Sequence, residues 1–246
     1  MATDEDAHCY HYDGAAREGC ANANATDDAA LSVAILLALG FLIDPARPYA
    51  FDAWVLRMLR RPGDLAVPVG PAWLKEAMVD ITALGGATVL TLVVVVAVGM
   101  LLVSRKWMAA ALVAAGTISG SLAVSAAKEI AARPRPDVVP HLVEVSSQSF
   151  PSGHSANSAI VYLTIAALLT QVTGADARRT YLFAVVVALV TVIGLSRMYL
   201  GVHWPTDVLA GWSFGTFWAL AWWRIGQWLR IHPHAAMPQD EREPVG

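Results

Sequence analysis

Three short pieces hold most of the polar chemistry in the C-terminal two-thirds of this chain. Lys128 is followed by Arg135 and Pro136, Pro151, Ser152, Gly153 and His154 stand together, and Ser196 and Arg197 precede His203 and Asp207. The segments between them are hydrophobic enough to cross a bilayer. Charges at a membrane edge are costly and need partners. Lys128, Arg133, Arg135 and Arg197 converge there with few acids besides Glu129, Asp137 and Asp207, so the missing counter-charge is most simply an anionic ligand. The planar fork of arginine matches phosphate oxygens two at a time, and lysine serves as a point charge. The competing reading is cations that snorkel to lipid headgroups. That reading is preferred for Arg133 alone, but not for Lys128, Arg135 and Arg197 together.

Pro151-Ser152-Gly153-His154 directly precedes an apolar segment. A serine cap, a glycine that permits close backbone approach, and a helix N-terminus aiming free N–H groups at one point make an anion site. Pro-Ser-Gly also occurs in ordinary turns, so this signal gains weight only beside the others. His154 adds a titratable proton donor, against the plainer reading of a structural histidine. His203 and Asp207 are four residues apart, with Pro205 at a first helical position. Asp207 can then sit one turn above His203 and accept from one ring nitrogen, leaving the other free to attack. A carboxylate so placed fixes the imidazole tautomer and stabilises the imidazolium. The alternative is a histidine–aspartate pair that caps a membrane helix.

The elements that must position these residues are apolar helices. A spanning helix needs about 20 mostly apolar residues. Asp27 and Asp28 are plausible caps for a first, short segment over Ala29–Ile43, which Asp44–Pro45 stops. Ile81–Val103 is the strongest spanning segment, ended by Arg105–Lys106. Trp107–Ala127 is rich in Ala, Gly and Ser, which favours close helix packing. Ser155–Val172, Tyr181–Leu195 with its flanks, and Thr206–Trp223 follow, with Arg178–Arg179 marking a turn and Trp218, Trp222, Trp223 and Trp228 forming an aromatic belt. The expected fold is an all-α polytopic bundle of about six membrane helices. Residues 46–79 interleave Arg47, Arg57, Arg60, Arg61 and Lys75 with aromatic and apolar side chains, a pattern suited to a helix in the headgroup layer. A small solvated loop domain is the alternative. Residues 1–28 and 231–246 read as polar tails around a membrane domain over 29–230.

With this many spans both termini lie on one face, and all three motifs fall on the other. The termini face carries Arg105, Lys106, Arg178, Arg179, Arg224 and Arg230. Discounting the motif cations and the headgroup-layer segment, the positive-inside rule puts the termini in the cytoplasm.

Composition narrows the class. The chain has 246 residues, 56% of them hydrophobic and only 15% charged, against roughly 25% charged in ordinary soluble domains. A net charge of −3 offers no basic field for nucleic acid. The two cysteines, Cys9 and Cys20, support neither a disulfide framework nor a zinc site. His8-Cys9-x-His11 could bind a metal, but a solvated tail is the preferred reading. The acidic start lacks the basic region and immediate apolar run of a secretory signal, so the first apolar segment is expected to stay as a membrane helix.

Taken together, Lys-x6-Arg-Pro at Lys128–Pro136, Pro-Ser-Gly-His at 151–154, and Ser-Arg-x5-His-x3-Asp at 196–207 resemble the three-part signature of the type 2 phosphatidic acid phosphatase superfamily, with no element missing. The resemblance covers roughly residues 78–225. It implies that His203 is the nucleophile that becomes phosphohistidine, Asp207 its orienting partner, and His154 the acid that protonates the leaving oxygen and then the base that activates water. It implies a phosphate-holding set of Lys128, Arg135, Ser152, Gly153 and Arg197, and chemistry with no cofactor and no metal. Soluble acid phosphatases and vanadium haloperoxidases share the signature. Here, however, Val89–Val98 and its neighbours are apolar all round, which fits the membrane-lipid branch. Vanadate, as a mimic of phosphoryl transfer, is expected to inhibit.

Membrane members of the family act on undecaprenyl diphosphate, phosphatidylglycerol phosphate, phosphatidic acid or lipid A phosphates. The compact plan, with Asp80-Ile-Thr-Ala-Leu-Gly85 leading into the second helix, looks like bacterial undecaprenyl-diphosphate or broad-range lipid phosphatases. Asp80 reads as a cap of that helix or as part of a leaving-group pocket. The expected partners are the bilayer and a lipid substrate, with no protein partner inferred. The expected location is a bacterial inner membrane with the site facing the periplasm. The rival from another class is a lipid-phosphate binder or transporter without turnover.

Overall fold

Apolar runs and the residues that break them set the order of elements. The computed structural model describes residues 33–45, 49–169 and 176–231. Over these residues the chain forms α1 (residues 33–41), α2 (Ala50–Met58), a hairpin of β1 (Arg60–Arg61) and β2 (Asp64–Pro68), α3 (Ala72–Ala83), α4 (Ala87–Val103), α5 (Trp107–Ala131), α6 (Gly153–Leu169), α7 (Asp176–Tyr199) and α8 (Pro205–Ile231). The two polar tails, the caps Asp27 and Asp28 and the His8–His11 cluster lie outside the described residues.

The fold is mostly helical, in line with the expected all-α bundle. Among the described residues two helices are long and apolar enough to cross a membrane, within α5 and α7, and a third span results if α3 and α4 count as one bent helix. Helix α6 has only 17 described residues and carries several serines, yet it packs against α4, α5, α7 and α8. Ser155, Ala156, Ser158, Ala159 and Ile160 are all buried on it. A helix enclosed by other helices has little lipid to satisfy, so it needs less hydrophobicity than α4, whose Leu92, Val95, Val96 and Met100 are exposed.

Close approach of α6 and α8 depends on missing side chains. A Cβ on Gly211 would lie 2.7 Å from the Ser152 carbonyl oxygen, and one on Gly215 would lie 2.5 Å from that of Ala156. Small residues spaced four apart are what let membrane helices meet backbone to backbone. Helix α1 docks on the outer side of α8, where Ser213 Oγ donates to the Leu36 carbonyl at 2.6 Å.

Four expectations change. The strongest expected span, 81–103, is interrupted: α3 and α4 meet at a 46° bend around Gly85–Gly86. Asp80 lies exposed in the last turns of α3, and the cap of α4 is Gly86, so Asp80 neither caps the span nor lines a pocket described here. Arg178 and Arg179 fall within the first turn of α7, not in a turn between helices. Over its described residues, 49–79, the segment expected to lie in the headgroup layer is not one helix but α2, the hairpin and the start of α3. Its amphipathic character is nevertheless present: α2 buries Asp52 and Leu56 while Phe51, Trp54 and Met58 are exposed. Pro62–Gly63 makes the hairpin turn, with Gly63 at φ +88°, and the strands pair Arg60 with Pro68 and Arg61 with Asp64. Arg60 is buried and donates to the Tyr199 carbonyl at 2.9 Å, pinning the hairpin to the end of α7.

Candidate active site

Four helix ends meet at the site. Helix α5 runs one turn past its expected end and carries Lys128 in its last turn. Helix α6 starts at Gly153, α7 ends just after Arg197, and α8 starts just before Asp207. The 132–152 connection folds back over them. Together they enclose a cavity of about 280 Å³ whose lining includes Lys128, Arg135, Gly153, His154, Arg197 and His203.

His203 stands at the centre, fully buried. Its Nδ1 faces Asp207 Oδ2 at 3.4 Å and its Nε2 lies 3.4 Å from Arg135 Nη1. The ring therefore has one nitrogen toward a carboxylate and the other toward a cation of the cavity wall. Burial pushes the His203 imidazole down to about 3. Asp207 pulls against this, and Arg135 and Arg197 push further down. The imidazole is neutral at neutral pH, which leaves a lone pair for attack.

Asp207 is held on every side. Its Oδ2 accepts from the Trp204 N–H at 2.9 Å and from the Ser149 hydroxyl, and its Oδ1 accepts from Arg133 Nη1 at 2.6 Å. Arg133 overturns its sequence reading. It does not snorkel to headgroups but is buried, paired with Asp207 and with Asp52 at 3.2 Å, between the rings of Phe150 and Trp204.

The cavity cations are fixed by backbone carbonyls and a hydroxyl rather than by acids. Lys128 Nζ donates to the Gln148 carbonyl at 2.7 Å. Arg135 donates to the carbonyls of Ser147 and Val202 at 2.7 and 2.6 Å; burial lowers its pKa and Asp207 opposes that shift. Arg197 Nη1 donates to Thr82 Oγ1 at 2.9 Å, and its buried Nε has no hydrogen-bond partner among the described residues. Three cations around one cavity, with an unmatched donor, have the charge and the donors that suit an oxyanion. Glu129 and Asp137 are exposed, while Glu144 reaches the cavity lining.

Not every expected ligand faces the cavity. Ser152 is fully buried, and its Oγ accepts from the Ser155 hydroxyl at 3.0 Å and the Ser155 N–H at 3.5 Å. It serves as the cap of α6 and is absent from the cavity lining. Gly153 does line it, and a Cβ there would come within 3.3 Å of Lys128 Cε. His154 lines it from the first turn of α6. Sequence reasoning missed Ser149, Thr82, Asp52 and Thr206. Among the described residues no group of three or more His, Cys, Asp or Glu side chains could hold a metal ion.

A buried histidine backed by a carboxylate and facing a cation-lined cavity at membrane-helix ends defines a protein that handles phosphoryl groups at a bilayer. The family model described as the PAP2 superfamily matches residues 106–231, and the chain belongs to that family. It is an enzyme of the phosphatase class and an integral membrane protein. It is 41% identical over 155 residues to phosphatidylglycerophosphatase B of Bacillus subtilis, an alignment covering 61% of this chain and 74% of that one. It is 36% identical over 110 residues to decaprenylphosphoryl-5-phosphoribose phosphatase of Mycolicibacterium smegmatis, covering 44% and 53%. The crystal structure of a transmembrane PAP2-type phosphatidylglycerolphosphate phosphatase from Bacillus subtilis superposes with a TM-score of 0.64 at 30% identity, over 81% of this chain and 94% of that one. LpxE of Aquifex aeolicus shares the fold, with a TM-score of 0.55 at 23% identity over 72% and 96%.

Proposed function

We propose that this chain removes the terminal phosphate of a membrane lipid phosphate through a phosphohistidine on His203. The observation that carries the reading is the two-sided environment of that ring, Nδ1 toward Asp207 and Nε2 toward the cations of the cavity. His203 Nε2 attacks phosphorus and the bond to the lipid oxygen breaks, with His154 giving that oxygen its proton. Asp207 accepts the Nδ1–H and balances the positive charge on the ring. Lys128, Arg135 and Arg197 hold the equatorial oxygens, and the N-terminus of α6 at Gly153 adds backbone donors. Water, deprotonated by His154, then attacks phosphorus, breaking the P–N bond and returning His203. Ser152 contributes by setting the start of α6. No step uses a metal.

Phosphatidylglycerol phosphate is the first substrate to test, because the relative at 41% identity is named for it. Undecaprenyl diphosphate, the substrate favoured by the sequence, is the second, since three cations at one cavity suit a doubly phosphorylated headgroup. Phosphatidic acid and lipid A phosphates complete the set. The protein domain is 29–230, with about six spans once α6, α8 and the first apolar segment are counted. The termini are cytoplasmic, and the site opens on the periplasmic side of a bacterial inner membrane.

The test is phosphate release by purified protein in detergent with EDTA present, on each of these lipids, beside His203→Ala. Release from at least one lipid, lost in the variant, is expected. A wild type inert on all of them, yet binding them, would favour the non-catalytic binder or transporter.

A further inference from the structure

Asp207 partners His203, and a second buried acid lies close by. Asp52, from α2, is fully buried. Its Oδ2 accepts from Arg133 Nη2 at 3.2 Å, from Thr206 Oγ1 at 2.7 Å and from the Tyr49 N–H at 3.1 Å, and its Oδ1 accepts from the Thr206 N–H at 3.0 Å. Arg133 in turn donates to Thr206 Oγ1 and to Asp207 Oδ1. A chain of contacts therefore runs from α2 through Arg133 to the carboxylate that faces His203. Asp52 lies outside the part of the chain matched by the family model.

A buried ion pair is weak evidence of stability, because desolvation consumes much of its attraction. What this arrangement does is divide labour on Asp207. Arg133 occupies Oδ1, so Oδ2 is left for Trp204 N–H, Ser149 and His203. Were Asp207 the only anion on Arg133, the guanidinium would cancel the charge that has to face the imidazolium. With Asp52 sharing the guanidinium, the two carboxylates and one arginine sum to one negative charge. That charge matches the positive one that develops on His203 when its Nε2 bonds to phosphorus.

We propose that Asp52 and Arg133 are positioning residues that orient Asp207 and preserve its negative charge for His203, so that the interfacial helix α2 takes part in catalysis without touching substrate. The proposal rests on the reading of His203 as nucleophile. Asp52→Asn keeps shape and removes charge. In the full chain, kcat on phosphatidylglycerol phosphate should fall about tenfold, a coupling of ordinary size between buried neighbours, with KM unchanged within about twofold. Vanadate binding, which requires no turnover, should weaken by a similar factor. Leu56→Ala, in the same helix and fully buried against Val139 and Trp204, is the structural control: it should lower the melting temperature at least as much while keeping kcat and vanadate affinity near wild type. Wild-type kcat and vanadate affinity in Asp52→Asn would overturn the proposal, as would an equal loss in Leu56→Ala. The underlying reading fails separately: a fully active His203→Ala, or a wild type that neither turns over nor binds vanadate, would overturn both.

Discussion

At the scale of single residues, His203 is placed by opposing forces. Its imidazole is held down to about 3, chiefly by burial and then by Arg135 and Arg197, against the pull of Asp207. A histidine whose folded pKa lies below its ordinary 6.5 contributes stability above that ordinary value and loses it as pH falls, because between 6.5 and about 3 the unfolded chain takes up the proton more readily. On acidification from pH 7 to 4, the wild type should therefore lose more of its melting temperature than His203→Gln does. Equal losses would mean that His203 is not held neutral. Ser149 is a second residue-scale case. Its hydroxyl donates to Asp207 Oδ2 and lies 3.5 Å from His203 Nδ1. Hydrogen bonds to charged groups are worth about 1.5–3 kcal/mol, so Ser149→Ala should lower kcat roughly 10- to 100-fold in a steady-state assay. The residues whose place at the cavity was legible in the sequence were those singled out by type and local spacing: His203 with Asp207 behind it, the three cavity cations, Gly153 and His154. Ser149, Thr82, Asp52 and Arg133 were not legible in their roles. The partners that tie them to the site lie 54 to 154 residues away, and no local pattern encodes a pairing across that distance. Ser152 was legible as a cap, which is the role its hydroxyl has here.

At the scale of elements, the interruption between α3 and α4 matters most. Two adjacent glycines break the helix here, and in a membrane protein such a break survives only if its freed groups find partners within the protein. Tyr162 Oη donates to the Leu84 carbonyl at 2.8 Å, supplying one from α6. The break lies against the site: a Cβ on Gly85 would meet Ile193 and approach His154, and Thr82 anchors Arg197 one turn earlier. Tyr162→Phe should therefore destabilise the fold by about 0.5–1.5 kcal/mol, read as a lower unfolding midpoint. Thr82→Val should raise KM with a smaller effect on kcat, read from initial rates. The apolar run over 81–103 made the span legible but hid its kink, since the run continues through the bend. The hairpin was missed although Pro62-Gly63 is a turn signal, because the surrounding alternation of basic and aromatic residues also fits a headgroup-layer helix.

At the scale of the whole molecule, membrane character was legible from composition, and the shared location of the motifs followed from helix counting. The proposed orientation puts the termini in the cytoplasm and the site outside. Cys9 and Cys20 are the chain's two cysteines, both near the N-terminus. In intact cells, a membrane-impermeant maleimide should therefore label the wild type only after permeabilisation. Ser146→Cys, on the cavity loop, with Cys9 and Cys20 replaced, should be labelled from outside. The reverse pattern would invert the orientation.

The proposed mechanism requires a covalent phosphoryl group on His203. Purified protein mixed with 32P-labelled phosphatidylglycerol phosphate or undecaprenyl diphosphate, quenched in alkali within the first turnovers and digested, should yield an acid-labile phosphopeptide that contains His203, absent from His203→Ala. Label on a different residue, or undiminished turnover by His203→Ala, would contradict it.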